Sequence, residues 1–234
     1  MSKFNNALTK PTKITAGIFL FGALLIAAAA LLVFGWLAEE VVEGDTKQFD
    51  AAIRAAVHSH ATPLLTTIMQ TFSFLGSVGW VTGFCLFVVG LCFYFHRRRM
   101  AAFLAIAMIG AATLDSVLKL AFHRTRPIAF YGTSPSSFSF PSGHALSSFC
   151  FYGILATVLA DRMVGRKSKM VIWIAAALLV AMIGLSRIYL GVHYPSDVIA
   201  GYLAGAMWVT AVAAIDKILI DRREKKIDAA KVLK

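Results

Sequence analysis

Six long apolar runs recur along this chain, and they limit its fold more than any other feature. They lie at roughly 14–37, 76–95, 100–122, 143–161, 170–188 and 197–220. Each is close to the ~20 residues that a helix needs to cross the hydrocarbon of a bilayer. Because backbone polar groups must be satisfied internally in lipid, the runs predict an all-α bundle of six transmembrane helices. The mean hydropathy of +0.74 also indicates a membrane protein.

The distribution of positive charge predicts the orientation of this bundle. Only six of the 23 Lys and Arg residues fall on one side, namely Lys47, Arg54, Lys119, Arg124, Arg126 and Arg187. The other 17 fall on the side that holds both termini, which is therefore predicted to be cytoplasmic. The net charge of +11 thus reflects membrane topology, and we expect no nucleic-acid partner.

The rest of the chain fits a single membrane-embedded domain of 1–234 with short extensions. Residues 1–13 and the basic tail 221–234 are predicted to be cytoplasmic. The first apolar run is expected to be a retained span, with cleavage as a signal peptide as the alternative. The outer segment 38–75 carries apolar residues at helical spacing from Phe49 to Val57, which predicts a helix lying in the interface. Pro63 can begin a second such helix.

Polar side chains collect where the spans end on the outer side. These are Lys119, Arg124, Arg126, His144, Arg187, His193 and Asp197. Charges near hydrocarbon are costly and usually functional. Lysine and arginine can reach the interface from a helix end, but that does not explain two histidines and an aspartate at the same depth.

The turn Pro-Ser-Gly-His at residues 141–144 indicates what this region binds. Ser142 suits a helix N-cap, and Gly143 removes a side chain that would block close approach. Free N–H groups at a helix start bind anions, phosphate above all. Two histidines and an aspartate could also hold zinc, but the neighbouring cations would repel it, so no metal and no cofactor are expected.

Three motifs occur in order between residues 119 and 197: KLAFHRTRP, PSGH and SRIYLGVHYPSD. Together they resemble the signature of the type 2 phosphatidic acid phosphatase family of integral-membrane lipid phosphatases. The resemblance implies a metal-independent phosphatase that acts through a covalent phosphohistidine. The short loops and small size suggest a bacterial cell membrane, and the charge distribution predicts an active site facing the periplasm or exterior.

The resemblance and the chemistry together suggest a role for each motif residue. His193 would be the nucleophile, Asp197 would orient its ring, and His144 would be the general acid. The phosphate oxygens would be held by Lys119, Arg126, Ser142, Gly143 and Arg187.

Several neighbours of the motifs have more than one interpretation. Phe130, Tyr131, Phe138 and Phe140 form either an aromatic belt or a floor for a lipid chain. His123 and Arg124 are expected to be interfacial, and Asp115 is expected to pair with Lys119.

The favoured function is a lipid phosphatase, with the substrate left open. Undecaprenyl diphosphate, phosphatidylglycerophosphate and phosphatidic acid are candidates, and a lipid A phosphatase or phosphotransferase is an alternative. A transporter or a scaffold without catalysis is disfavoured, because the polar cluster lies at span ends rather than at the midplane. The sequence does not indicate an oligomeric state.

Overall fold

The computed structural model describes residues 13–132 and 135–232, and within them the chain is all-α, with eight helices and no strand. The helices are α1 (Lys13–Glu43), α2 (Lys47–His58), α3 (Pro63–Leu75), α4 (Val78–Tyr94), α5 (Arg98–Phe122), α6 (Gly143–Arg162), α7 (Arg166–Tyr189) and α8 (Pro195–Val232). The predicted fold class is therefore confirmed. Residues 1–12 of the predicted N-terminal segment, and the side chains of the tail beyond residue 222, lie outside the described part.

Five helices are long and apolar enough to cross a membrane: α5, α6, α7, and the stretches Phe21–Glu43 of α1 and Pro195–Arg222 of α8. Helices α3 and α4 pass the same test as a pair bent by 47°, which brings the number to six. The predicted runs thus correspond to helices by length and composition. The side on which the termini lie remains a prediction.

The bend between α3 and α4 has a local cause. Ser77 caps α4 by accepting a hydrogen bond from the Trp80 amide at 3.3 Å, so a new helix begins there. Gly76 packs against α7 so closely that a Cβ would lie 2.3 Å from the side chain of Ile183. Upstream, Thr62 caps α3 and Pro63 is its first residue, as the sequence predicts.

Close packing of α8 against α6 brings two helix starts together. A Cβ on Gly201 would lie 2.6 Å from the Ser142 carbonyl oxygen, and one on Gly205 would lie 3.2 Å from that of Leu146. The Ser142 amide also donates to the Asp197 carbonyl oxygen at 2.9 Å. Small residues allow this close contact, which places the starts of α6 and α8 at the same end of the bundle.

Candidate active site

Six of the predicted residues line one cavity of about 650 Å³. They come from five separate parts of the chain: Lys119 from the end of α5, Arg126 from the loop after it, Gly143 and His144 from the start of α6, Arg187 from the end of α7, and His193 from the α7–α8 turn. Asp197 lies directly behind His193 and is fully buried. The structure therefore brings the three motifs together.

The α7–α8 turn places the His193 ring. Gly191 adopts a left-handed φ of 78°, and a Cβ there would lie 2.6 Å from the Phe130 amide nitrogen, so only glycine fits. After this turn the amides of Val192 and His193 both bond back to the Arg187 carbonyl oxygen. The histidine is thus held at the end of α7, one turn before α8 begins at Pro195.

The hydrogen bonds of His193 assign its tautomer. The guanidinium of Arg126 lies 2.8 Å from Nε2, and a guanidinium can only donate. Nε2 must therefore be the unprotonated nitrogen, and Nδ1 carries the hydrogen. Nδ1 faces the Asp197 carboxylate at 3.3 Å, which can accept that hydrogen. An unprotonated Nε2 directed into the cavity has the free lone pair that a nucleophile needs.

Burial controls the charge of His193. The pKa of this ring is lowered to about 4, mainly because removal from water penalises the charged form. The Asp197 carboxylate opposes this shift, and the positive charges of Arg126 and Arg187 contribute to it. The balance leaves His193 neutral near pH 7.

Arg126 is held in place by backbone oxygens from two sides. Its guanidinium donates to the carbonyl oxygens of Ser137, Phe138 and Val192 at 2.7 to 3.1 Å. Burial lowers the pKa of this group, and the carboxylates of Asp197 and Asp115 oppose that effect. The side chain is thus oriented in advance, with one edge towards Nε2 of His193.

The start of α6 only partly follows the sequence prediction. Ser142 occupies the N-cap position but makes no side-chain capping bond. Its hydroxyl is buried and has no hydrogen-bond partner within the described part of the chain. A Cβ on Gly143 would lie 2.9 Å from the Asp115 carboxylate oxygens, so glycine lets α5 approach this turn. A buried, unpartnered hydroxyl beside a helix start is suited to an anion.

The other two cavity cations each have one neighbour. Lys119 pairs with Asp115 at 2.7 Å, as the sequence predicts, and Asp115 also lines the cavity. Among the described residues, the Arg187 side chain forms no hydrogen bond with another motif residue. It donates one to the hydroxyl of Ser73 on α3. Sequence reasoning missed Ser73, because nothing in the chain signals a pairing across 114 residues.

Arg124 differs from its expected place. It is not simply interfacial: its guanidinium donates to Asp197 at 2.6 Å and to Asp50 at 2.8 Å. Ser139 also donates to the Asp197 carboxylate. Asp50 and Ser139 were not predicted, since one belongs to an outer helix and the other to a loop without a motif.

The four aromatic residues do not line the cavity among the residues described. Phe140 is fully buried and packs against Phe34 and Phe122, so it belongs to the core, and its predicted place in a belt or lipid floor is wrong. Phe130 stacks on His58, Tyr131 stacks on Tyr189, and Phe138 packs against the edge of His123. These three contacts brace the loops at this end of the bundle.

The cavity wall between α4 and α5 is mostly apolar. It includes Val81, Cys85, Val89, Met108 and Ile109. From Val78 to Val89 the lining follows α4 for about 16 Å, at 1.5 Å per residue. The cavity therefore joins a charged end to an apolar cleft that reaches into the bundle.

Comparison with known proteins agrees with this arrangement. The family model of the PAP2 superfamily matches residues 100–219, which contain all three motifs. The chain belongs to the PAP2 superfamily. The resemblance predicted from the motifs is thus confirmed.

Several proteins that this chain resembles are named as phosphatases of lipid phosphates. Phosphatidylglycerophosphatase B of Bacillus subtilis is 30% identical over 83% of this chain and 96% of its own length. An undecaprenyl-diphosphatase of Sulfolobus acidocaldarius is 32% identical, over 53% of this chain and 58% of its own length. The crystal structure of a transmembrane PAP2-type phosphatidylglycerolphosphate phosphatase from Bacillus subtilis superposes with a TM-score of 0.75. It is 27% identical, and the match covers 82% of this chain and 96% of that one.

These similarities confirm two general predictions: this protein is a phosphatase, and it is a multi-pass membrane protein. Within the residues described, no group of three or more His, Cys, Asp or Glu side chains could hold a metal ion. Individual residue roles, the lipid and the membrane side are matters for proposal.

Proposed function

We propose that this chain is a metal-independent lipid phosphate phosphatase that works through a phosphohistidine on His193. One observation carries the proposal. Nε2 of His193 is unprotonated and aimed at Arg126, at the charged end of a cavity whose other end is apolar. Such a site can hold a phosphate beside a nucleophile and a lipid chain beside hydrocarbon.

In the first step, the lone pair of Nε2 attacks phosphorus and the bond from phosphorus to the lipid oxygen breaks. His144, which lines the same cavity, gives its proton to the leaving oxygen. The ring of His193 then carries the phosphoryl group and a positive charge. Asp197 stabilises this charge through Nδ1–H.

In the second step, His144 takes a proton from water, and the water oxygen attacks the phosphoryl group. The bond between nitrogen and phosphorus breaks, its electron pair returns to Nε2, and inorganic phosphate leaves. His193 is again neutral and His144 is again protonated, so each turnover consumes one water and restores the site.

The negative oxygens of the transferring group need donors that are already in place. Lys119, Arg126 and Arg187 line the cavity and can supply them, together with the Ser142 hydroxyl and the start of α6. Donors oriented in advance commonly provide the largest part of the rate enhancement.

The relative in Bacillus subtilis makes phosphatidylglycerophosphate the first substrate to test. Lys119, Arg126 and Arg187 face the cavity with the carboxylate of Asp115, which leaves a formal charge of +2, and the proton on His144 raises it to +3. This positive charge suits the phosphate group of such a lipid.

Undecaprenyl diphosphate is the second candidate. The observation in its favour is the length of the apolar cleft between α4 and α5, which would accommodate part of an isoprenoid chain. The archaeal undecaprenyl-diphosphatase relative supports this alternative. In either case we propose an active site at the outer face of the cell membrane, because of the charge bias between the loops.

The deciding experiment is phosphate release by the purified protein in detergent, with EDTA and without added metal. The substrates are phosphatidylglycerophosphate, undecaprenyl diphosphate and phosphatidic acid, and the variants are His193→Ala and His60→Ala. His60 is exposed and bonds only within its own turn, so it is a matched control. Release that resists EDTA, is lost in His193→Ala and persists in His60→Ala supports the proposal. Release that EDTA abolishes would overturn the mechanism, and no release from any lipid would overturn the function.

A further inference from the structure

Arg124 links two buried carboxylates from distant parts of the chain. Its NH1 nitrogen lies 2.6 Å from Oδ1 of Asp197, and its NH2 nitrogen lies 2.8 Å from Oδ2 of Asp50. Asp50 is 1% exposed and Asp197 is fully buried. Two carboxylates and one guanidinium leave this cluster with a formal charge of −1, which the positive ring of a phosphorylated His193 would neutralise.

Asp50 is almost completely buried, and besides Arg124 its carboxylate meets the start of α8. Oδ1 accepts the Ser196 amide at 2.9 Å, and Oδ2 accepts the Ser196 hydroxyl at 2.7 Å. The outer helix α2 thus inserts one carboxylate beneath the first turn of α8, next to Asp197. Burial of a carboxylate is costly unless it is paired and bonded, so this insertion calls for a function.

Arg124 is not one of the residues that line the cavity. The ring of Tyr194 covers its guanidinium, with 4.2 Å from the guanidinium carbon to the ring centroid. Arg124 therefore does not meet the phosphate, unlike Arg126 two residues later. Its direct link to the chemistry is its bond to Asp197.

The bonds of Asp197 divide between its two oxygens. Oδ1 is occupied by Arg124, whereas Oδ2 accepts the Tyr194 amide at 2.8 Å and the Ser139 hydroxyl, and faces Nδ1 of His193. A carboxylate fixed at Oδ1 cannot rotate, so Oδ2 stays directed at the imidazole.

We propose that Asp50 and Arg124 are positioning residues for the nucleophile: they hold Asp197 so that Oδ2 orients His193 for attack. This inference rests on the proposed phosphohistidine function. It assigns the outer helix α2 a part in catalysis, beyond covering the bundle.

The test compares Asp50→Asn with Asp216→Asn in the purified full-length protein. Asp216 also pairs with an arginine, Arg99, but at the opposite end of α5, so it is a matched control. We expect Asp50→Asn to slow phosphohistidine formation about 10- to 100-fold in rapid-quench experiments, the range typical of partners that orient a reactive group. KM should stay within about twofold, because the phosphate donors are untouched.

Two inhibitors separate positioning from a purely structural role. Orthovanadate forms a five-coordinate adduct on the nucleophile, so its affinity should fall by the same factor as the rate. Inorganic phosphate binds without a bond to nitrogen, so its affinity should not change. A structural role alone would lower the yield or melting temperature of Asp50→Asn, and the folded fraction would keep the wild-type rate and vanadate affinity. That result would overturn the inference.

A second variant covers the case in which Asp50→Asn does not fold. Ser196→Ala removes the hydroxyl that joins Asp50 to Arg124 and keeps every charge. We expect a loss of about two- to tenfold in the rate, which corresponds to the typical net contribution of one hydrogen bond. An unchanged rate would count against positioning.

The vanadate measurement needs no turnover, so it distinguishes the two proposals. If the wild-type protein releases no phosphate from any lipid, the function fails, yet weaker vanadate binding in Asp50→Asn would still show that Asp50 positions His193. If the wild-type protein is active and Asp50→Asn matches it in every measurement, only the positioning inference fails.

Discussion

Nε2 of His193 lies 2.8 Å from the NH1 nitrogen of Arg126. The same guanidinium that would bind a phosphate oxygen thus occupies the lone pair that would attack phosphorus. On entry, a phosphate oxygen must replace Nε2 of His193 as the acceptor of this hydrogen bond. The lone pair of Nε2 then becomes free when the phosphate arrives.

The pH dependence of the reaction follows from the burial of His193. Its pKa of about 4 means that the ring gains a proton, and loses its nucleophilic lone pair, only as the pH falls through that value. The acidic limb of kcat/KM should therefore lie near pH 4, with full availability of the nucleophile above about pH 5. The charged groups that face the ring are Asp197, Arg126 and Arg187.

A basic limb should complete a bell-shaped profile of kcat, because His144 must carry a proton to act as the acid and the bound phosphate dianion favours that charged form. The measurement is kcat and kcat/KM on a short-chain lipid phosphate from pH 3.5 to 9.5, with the melting temperature recorded at each pH. An acidic limb centred near pH 7 would contradict the buried, neutral nucleophile. A flat profile from pH 5 to 9 would contradict the two histidine roles.

Replacement of Arg126 by lysine should be severe although the charge is kept. A lysine cannot bond the carbonyls of Ser137, Phe138 and Val192 while it also faces the phosphate. We expect kcat to fall about 100- to 1,000-fold, as for loss of one oriented donor. The control, Arg98→Lys at the exposed start of α5, should retain wild-type activity. Equal activity of the two variants would show that Arg126 does not bind the phosphate.

The apolar cleft predicts a chain-length effect. Ala112 lines the cavity on α5, so Ala112→Trp should obstruct the lipid chain without touching the cations. We expect kcat/KM for a long-chain lipid phosphate to fall at least about tenfold, while a water-soluble short-chain phosphate is little affected. Ala102→Trp, exposed on the same helix outside the cavity, is the control. Equal losses for both substrates would place the lipid elsewhere.

The membrane side of the site can be measured directly. The three native cysteines are buried, so new cysteines report alone. Ser136 is exposed in the loop before α6, and Ser168 is exposed at the opposite end of the bundle. On intact cells, a membrane-impermeant maleimide should label Ser136→Cys and leave Ser168→Cys unlabelled until the cells are opened. The reverse pattern would invert the predicted topology.

Much of the fold could be predicted because hydropathy acts locally. Each span is a continuous apolar run, and caps such as Pro63 lie next to the helices that they begin. The site residues within the motifs, such as His193 and Asp197, could also be named in advance, because their order and spacing recur in a family.

The contacts that hold the site together could not be predicted in the same way. Asp50 meets Arg124 across 74 residues, and Arg187 meets Ser73 across 114, with no spacing rule to pair them. Phe140 sits beside the PSGH turn yet belongs to the core, because a loop residue's burial depends on the packing of α1 and α5 around it.

The position of Asp50 beneath α8 has a consequence for how such enzymes diverge. Residues 100–219 contain every motif, but the helix that carries Asp50 precedes them. The unit that selection acts on is therefore larger than the signature. On the proposed role of Asp50, two relatives with identical motifs can differ in catalytic rate through the helix equivalent to α2 alone. A helical bundle given the motifs without that helix would have the reactive groups but not the residues that position them.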